Sequence, residues 1–521
     1  VREAAGILAE AIVSGQSILI VGDFDADGAT GTAVAVRALR LMAAENVDFR
    51  VPDRFEFGYG LSAALVETLA TDPPDVLVTV DSGISSIDGV DRARELGCKV
   101  IVTDHHLPGE VLPDAHAIVN PNCPGDEFPS KALAGVGVVF YLMSMVRSAL
   151  RERDWFTLPR NEPNLAHLLD LVALGTVADL VSLDVNNRIL VHQGMERIRQ
   201  GLCSPGILAL LRLGKRDFRH LVAADLAFAV APRLNAAGRL EDMAVGIRCL
   251  LSDDRDEAMA LATELDELNH RRRARQAQMQ QEALEQLQGL VKDLQDGELP
   301  AGLCLYDDAW HQGVVGLVAS RIKDAVHRPV IAFAPESDGS ELLKGSARSV
   351  RGLHIRDVLA RIDVLHPEMI AAFGGHAMAA GLTLAADRLE MFKQALDEAV
   401  SFFLQGETLE NEILTDGELS AAEINLQFAE QLRDLGPWGQ HFPEPVFEGR
   451  FVVEEQRVVG GAHLKMIVRP AGGRDSIDAI AFGRLPEDLP DSDTVGLIYK
   501  LDINHFRGRK TAQLMVEQIL S

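Results

Sequence analysis

The sequence predicts an α/β protein of several domains that ends in a small β-barrel, and three patterns carry that expectation. Short β-branched runs alternate with helical ones from Ser17 to Leu183. A second α/β stretch runs from about Leu303 to Val400, and from Phe451 onward five strand-like runs follow one another closely. At 521 residues, 47% hydrophobic and 24% charged, the chain is too long for one core, so roughly two to four domains are expected.

In chain order, SILIVG (17–22), DVLVTV (75–80) and KVIVT (99–103) have the composition of strands buried on both faces of a parallel sheet. Helical segments such as TGTAVAVRALRLMAAE (30–45) and SSIDGVDRAREL (85–96) separate them. The expected fold is a doubly wound parallel sheet, whose ligands sit at the carboxyl ends of the strands. From Ser252 to Gln288 there is no Gly or Pro, and Ser252 followed by Asp253, Asp254 and Asp256 reads as an N-cap and acidic first turn. That predicts a long connecting helix of roughly 55 Å, with HRRRAR (270–275) on a solvated face and a DNA-facing role as the alternative. GLCLYD (302–307) and PVIAFAP (329–335) begin the second α/β domain. FVVEEQRVV (451–459), HLKMIVRP (463–470), SIDAIAFG (476–483), VGLIYKLDINHF (495–506) and TAQLMVEQIL (511–520) predict an OB-like β-barrel.

Composition excludes several classes. The five cysteines, Cys98, Cys123, Cys203, Cys249 and Cys304, are odd in number and widely spaced, which reads as reduced thiols without a zinc or redox pair. The longest apolar run, Ala134 to Val146, falls short of the ~20 residues that span a bilayer, so a soluble cytoplasmic protein is expected; a monomer is expected as well. A net charge of -27 disfavours a protein that coats nucleic acid electrostatically. A carboxylate-rich site gains positive charge from its ions, however, and basic clusters can coexist with an acidic remainder.

The chemistry lies at the strand ends. GDFDADG (22–28) places Asp23, Asp25 and Asp27 two apart, directly after a strand. An EF-hand reading fails, because the twelfth position is Val34 where a bidentate Glu is needed. Asp81 in TVDSG (79–83) and Asp104, His105 and His106 in VTDHH (102–106) end two further strands. A lone Asp there is more often a cap and a lone His more often structural. Three such clusters on one rim are costly without a shared ligand. Asp179 interrupts the apolar run LDLVALGTVADLVSL (169–183), where a helix cap is the bland alternative. Carboxylates with imidazole and no thiolate suit Mn²⁺ or Mg²⁺, and carboxylates able to bridge suggest two ions.

The set GDFDADG, TVDSG, VTDHH and GTVAD resembles the four-motif signature of the DHH phosphoesterases. The resemblance implies that Asp25, Asp27, Asp81, His105 and Asp179 hold two metals, with Asp81 bridging. It further implies that His106 contacts the scissile phosphate and that Asp104 orients the histidines. Many members carry a histidine where this chain has Val21, so Asp23 or water is expected there. KGSARS (344–349) and FGGHAMAAG (373–381) resemble the family's substrate-binding module, the DHHA1 type, with Ser346, Arg348, Ser349, Gly374, Gly375 and His376 as phosphate contacts.

The long helix, the segment APRLNAAGRL (231–240) and the final β domain extend the resemblance to the RecJ family over essentially the whole chain. That family implies a 5′→3′ exonuclease that hydrolyses single-stranded DNA to 5′-mononucleotides in repair and recombination. It places Arg54 and Tyr59 of DRFEFGYGLS (53–62), and Arg233, Asn235 and Arg239, at the substrate; from the residues alone Tyr59 reads equally as a packing residue in a glycine turn. It also implies contact with single-stranded-DNA-binding protein through the C-terminal domain. The expected domains are 1–235 catalytic, 236–300 connecting, 301–405 substrate-binding and 406–521 OB-like. In the last of these NHFRGRK (504–510), Arg450, Arg457, Lys465 and Arg469 offer cations for a backbone groove, with an ordinary solvated hairpin equally open. Two rivals remain: a small-substrate DHH phosphodiesterase, which generally lacks the extra domain, and an inactive DNA-binding scaffold, which would lack metal ligands.

Overall fold

The structure, a computed structural model, describes the chain apart from residues 54–55, 241, 275–298, 338, 405–412, 491, 507 and 521. It divides into two compact units, Val1–His270 with Leu414–Ser521, and Arg271–Ile413. The C-terminal β domain therefore shares a unit with the first α/β fold. The expected boundary at residue 235 falls inside a helix, Ala231–Leu240.

In the first unit, β1 (Ile18–Gly22), β2 (Val47–Arg50), β3 (Val76–Val80), β4 (Lys99–Thr103) and β5 (Ala117–Val119) form a parallel sheet in the order β2-β1-β3-β4-β5. The sheet is wound on both faces because its strands are apolar on both. Ile18 and Ile20 join a core built with helices Arg2–Val13, Ala26–Leu41 and Gly135–Glu152. Leu19 and Val21 join the opposite core, against Leu65, Val66, Val90 and Ala93. Each such buried aliphatic side chain contributes about 1.5–3 kcal/mol.

The connecting helix differs at its start from the sequence expectation. Ser252 ends the preceding helix, Ala244–Leu251, and the next helix covers 255–274. Asp254 is its cap: one carboxylate oxygen accepts from the backbone N–H of Asp256 and Glu257, both at 2.9 Å. The Ser252 hydroxyl is instead spent on Glu257 Oε2 at 2.6 Å. A carboxylate that accepts two N–H groups at the positive helix end outcompetes a hydroxyl. The rest of the predicted helix lies outside the described residues.

The barrel comprises β11 (Phe447–Val459), β12 (His463–Pro470), β13 (Ile477–Phe482), β14 (Thr494–Phe506) and β15 (Arg509–Leu520), closed in the order β11-β12-β13-β15-β14. In β12, Leu464, Met466 and Val468 point into the barrel core and the intervening residues face out. Among the cations expected for a backbone groove, Lys465 pairs with Asp478 and Arg469 with Glu454, while Arg507 lies outside the described residues.

The second unit holds a mixed sheet in the order β6-β7-β8-β10-β9. Its strands are β6 (Leu303–Tyr306), β7 (Val330–Pro335), β8 (Leu342–Arg348), β9 (Ile370–Gly375) and β10 (Ala379–Ala385). Only β6 and β7 pair in parallel. Among the described residues, no helix is long and apolar enough to cross a membrane.

Candidate metal centre

Because β1, β3 and β4 are neighbours in the sheet, the three acidic and imidazole clusters that end them lie side by side. Asp27 begins the helix Ala26–Leu41 and is almost fully buried. It is aimed by another helix N-terminus: Gly135 N donates to Asp27 Oδ2 at 2.6 Å and Val136 N to Oδ1 at 2.9 Å. Asp25 caps its own helix by accepting from Asp27 N and Gly28 N. Asp81 adopts a left-handed φ of 60° just past β3, a conformation that costs a non-glycine residue and clusters at functional sites. Asp179 is the C-cap of the helix Leu169–Ala178, so its carboxylate sits at the negative end of the helix dipole. That placement is unfavourable without a cation.

These side chains converge. His105 Nε2 lies 3.1 Å from Asp81 Oδ1, 3.4 Å from Asp179 Oδ2 and 4.0 Å from Asp27 Oδ2. Donor atoms of Asp81, His105 and His106, of Asp27, His105 and Asp179, and of Asp23, Asp25 and Asp81 fall within 4.8 Å of one another in each group. Asp81 and His105 each belong to two of the three groups. Despite this proximity, Asp23 Oδ1, Asp81 Oδ1, His105 Nε2 and Asp179 Oδ2 are buried and have no hydrogen-bond partner among the described residues. Buried polar atoms are otherwise nearly always satisfied, so the four orphans and their oxygen and nitrogen chemistry fit divalent cations. Val21, at the position of the family histidine, is buried in β1, and Asp23 supplies a further carboxylate to the cluster.

The electrostatics are those of crowded carboxylates. Burial, then Asp25, pushes Asp23 and Asp27 up to about 7. Burial, then Asp27, pushes Asp179 up to about 9, and the same causes raise Asp81 well above the carboxylate range. His105 is pushed down to about 4 by burial and then by His106, which keeps its ring neutral, the ligand form. Burial also presses Asp104 upward, but hydrogen bonds from the His106 ring and from the His106 and Ile84 backbones prevail and lower it. His106 Nδ1 lies 2.7 Å from Asp104 Oδ1, and that bond raises the imidazole. The same oxygen accepts from His105 N at 2.7 Å and His106 N at 3.0 Å, so Asp104 holds the His106 ring and the backbone of both histidines.

Other expected contacts fall in different places. Tyr59 is 54% exposed, donates to the Asp81 carbonyl at 3.2 Å and meets the His106 ring edge-on at 6.1 Å. Arg233 is buried and paired with Asp266 at 2.7 Å, so its guanidinium is engaged within the protein. Asn235 Oδ1 accepts from Ala26 N at 2.7 Å and thereby holds the metal loop. Arg239 lies in the helix Ala231–Leu240, while Arg54 is outside the described residues.

In the second unit, strand register brings two distant motifs to one end of the sheet. Arg348 pairs with Ala379, whose neighbour Ala380 pairs with Gly375. Arg348 is half-buried and donates to Ser346 Oγ at 2.9 Å. Gly374 and Gly375 end β9, and His376 follows with its N–H on the Ala379 carbonyl at 2.8 Å. Ser349 is buried, its hydroxyl bonded to the Leu353 carbonyl at 2.7 Å.

Sequence reasoning missed the roles of Gly135 and Gly175. A Cβ on Gly135 would meet Asp81 Oδ1 at 2.6 Å, and one on Gly175 would meet Thr30 Oγ1 at 2.2 Å and Asp27 Oδ1 at 2.9 Å. Only glycine lets these helices approach the carboxylates so closely.

Comparison with known proteins agrees with this geometry. The DHH family N-terminal domain matches residues 17–176, the DHHA1 domain 300–401 and the RecJ OB domain 415–518. The chain is 54% identical to the single-stranded-DNA-specific exonuclease RecJ of Salmonella typhimurium, over the whole chain and 90% of that relative. It is 34% identical to the Bacillus subtilis protein of the same name, over 99% of the chain and 63% of the relative. Thermus thermophilus RecJ in complex with Mn²⁺ superposes with a TM-score of 0.75 at 30% identity, covering the whole chain and 71% of that structure. A RecJ bound to manganese gives 0.57 at 33% identity, covering 78% of the chain and 97% of that structure. The chain belongs to the RecJ family of DHH proteins.

Proposed function

We propose that this protein is a metal-dependent exonuclease that hydrolyses single-stranded DNA 5′→3′ to 5′-mononucleotides in DNA repair and recombination. The observation that carries the reading is the set of four buried, unpartnered donor atoms on Asp23, Asp81, His105 and Asp179. Asp25, Asp27, Asp81, His105 and Asp179 would hold two Mn²⁺ or Mg²⁺ ions, with Asp81 shared and Asp23 in place of the family histidine. Bound there, the pair would activate water and stabilise the attacking and leaving oxygens of phosphodiester hydrolysis.

The remaining roles belong to the protein. Asp104 fixes His106 through Nδ1, which leaves Nε2 to donate to a phosphate oxygen, and the raised imidazole favours the protonated donor. Tyr59 offers an exposed ring for a base. Arg348 and Ser346 supply charge-assisted donors for a terminal 5′-phosphate, and Arg54 and Arg239 complete the expected phosphate contacts. The family supports contact with single-stranded-DNA-binding protein through the C-terminal domain, in a monomeric, cytoplasmic enzyme.

The test is product analysis on long single strands with and without chelator. Mononucleotide release that stops on chelation and returns with Mn²⁺ supports the reading. Activity surviving exhaustive chelation rejects metal catalysis, and dinucleotide turnover without attack on long strands would favour a small-substrate phosphodiesterase.

A further inference from the structure

The turn that follows Asp179 is gripped from two sides. On the inner side, fully buried Asn187 donates from Nδ2 to the carbonyls of Ala132 at 2.6 Å and Ser182 at 2.9 Å. Asp184 accepts from Asn187 N at 2.9 Å and from the Ser130 hydroxyl at 2.6 Å. The outer side is covered by GPWGQHFP (436–443), the loop between the helix Leu426–Leu435 and β11. Leu183 N donates to the Gln440 carbonyl at 2.9 Å, and Ser182 Oγ lies 2.9 Å from His441 Nδ1. The Arg188 guanidinium lies 3.7 Å over the Phe442 ring.

The loop is braced internally. Gly439 and Phe442 exchange backbone hydrogen bonds of 2.9 and 3.0 Å, and Trp438 stacks on Phe442 with ring centres 4.9 Å apart. Trp438 Nε1 donates to the Leu432 carbonyl at 3.1 Å. Phe442 packs against the core that also contains the helix carrying Asp179.

This contact bears on the metal centre because the Asp179 turn is weakly determined by itself. Leu180 adopts a left-handed φ of 58°, and its N–H reaches the Val177 carbonyl only at 3.4 Å. A non-glycine residue holds that conformation only where its surroundings over-determine it. We propose that the loop 436–443 positions Asp179, so that the metal centre is complete only with the C-terminal β domain docked on the catalytic fold. The inference rests on the metal reading above; Ser182, His441 and Phe442 act through Asp179 and are positioning residues.

The test uses the full chain with Ser182→Ala, His441→Ala, Phe442→Ala and the conservative Phe442→Tyr. Mn²⁺ affinity is measured by titration calorimetry without DNA, and affinity for a long single strand is measured in chelator. Phe442→Ala should weaken Mn²⁺ binding about 10-fold, as loss of a supporting contact behind a ligand does, with smaller losses in Ser182→Ala and His441→Ala. Phe442→Tyr should restore it, and DNA affinity in chelator should not change. A lowered melting temperature with wild-type Mn²⁺ affinity overturns the proposal, as does a parallel loss of DNA binding. If Phe442→Ala does not fold, Ser182→Ala decides, and unchanged Mn²⁺ affinity there is fatal. Absence of Mn²⁺ binding by the wild type would instead fell the metal reading, and this inference with it.

Discussion

Gly135→Ala tests the architecture of the metal centre without removing a ligand. The added methyl would lie 2.6 Å from Asp81 Oδ1, 2.7 Å from its Cβ and 2.8 Å from its Cγ. Asp81 is buried and its backbone is left-handed, so it has little room to retreat, and the helix Gly135–Glu152 must move instead. That motion also pulls Gly135 N from Asp27 Oδ2, now at 2.6 Å, and disturbs two proposed ligands together. In an ordinary helical position Gly→Ala stabilises by about 0.5–1 kcal/mol. Here overpacking of about 1–3 kcal/mol should prevail, and Mn²⁺ affinity should fall about 10–100-fold. Calorimetric titration with Mn²⁺ and thermal melting of the metal-free variant give the two readouts. An unchanged or raised melting temperature with wild-type Mn²⁺ affinity would refute the claim that this glycine is required by the close approach.

Other expectations follow from the same geometry. Asp81→Ala should abolish hydrolysis while circular dichroism stays native, because Asp81 belongs to two ligand groups at once; activity near wild type rejects the shared-ligand assignment. Asp23 and Asp27, raised to about 7, and Asp179, raised to about 9, from an ordinary value of 3.8, hold protons more tightly folded than unfolded. Their stabilisation is present below pH 4 and is lost as pH rises through those values. His105, lowered from 6.5 to about 4, acts in the opposite sense, but only below about pH 6.5. Between pH 7 and 9 the metal-free melting temperature should therefore fall and the rise given by saturating Mn²⁺ should grow; a flat Mn²⁺ effect across that range contradicts the cluster electrostatics. Arg348→Ala should slow cutting of 5′-phosphorylated strands by roughly 1–3 kcal/mol, the worth of a charged hydrogen bond, and spare 5′-hydroxyl strands. Equal losses on the two substrates would remove Arg348 as the end sensor.

Legibility in the sequence followed the range of the interactions. The strands β1, β3 and β4 could be read because burial on both faces leaves continuous β-branched runs, and each metal motif follows its strand within a few residues. The barrel strands could be read from a different local signal, closely spaced strand-like runs, which in β12 prove to alternate between buried and half-buried residues. What could not be read depends on partners remote in sequence. Asn235 is a candidate substrate contact, and what was hidden is the bond it accepts from Ala26 N, 209 residues away. Arg233 has the chemistry of a phosphate ligand, and its ion pair with Asp266, carried by another helix, was equally hidden. Gly135 and Gly175 sit in apolar helical stretches where nothing local separates a close-approach glycine from a tolerated one. Ser252 lost the cap to Asp254 by two residues, an ambiguity that a cluster of capping residues always leaves.

Part of the acidity that argued against a nucleic-acid enzyme is concentrated at the candidate metal centre. Asp23, Asp25, Asp27, Asp81, Asp104 and Asp179 crowd one rim, and four of these six, Asp27, Asp81, Asp104 and Asp179, lie beside His105 or His106. Without cations such a rim repels a phosphate backbone, so on the proposed reading the strand cannot occupy the centre until the carboxylates are neutralised. Metal affinity and affinity for the scissile phosphate are then coupled, and by linkage each must strengthen the other by the same factor. Strand binding that persists in chelator must reside away from the rim. On the proposed reading that binding belongs to the C-terminal barrel, and the loop 436–443, which contacts Ser182, Leu183 and Arg188 beyond Asp179, joins the two.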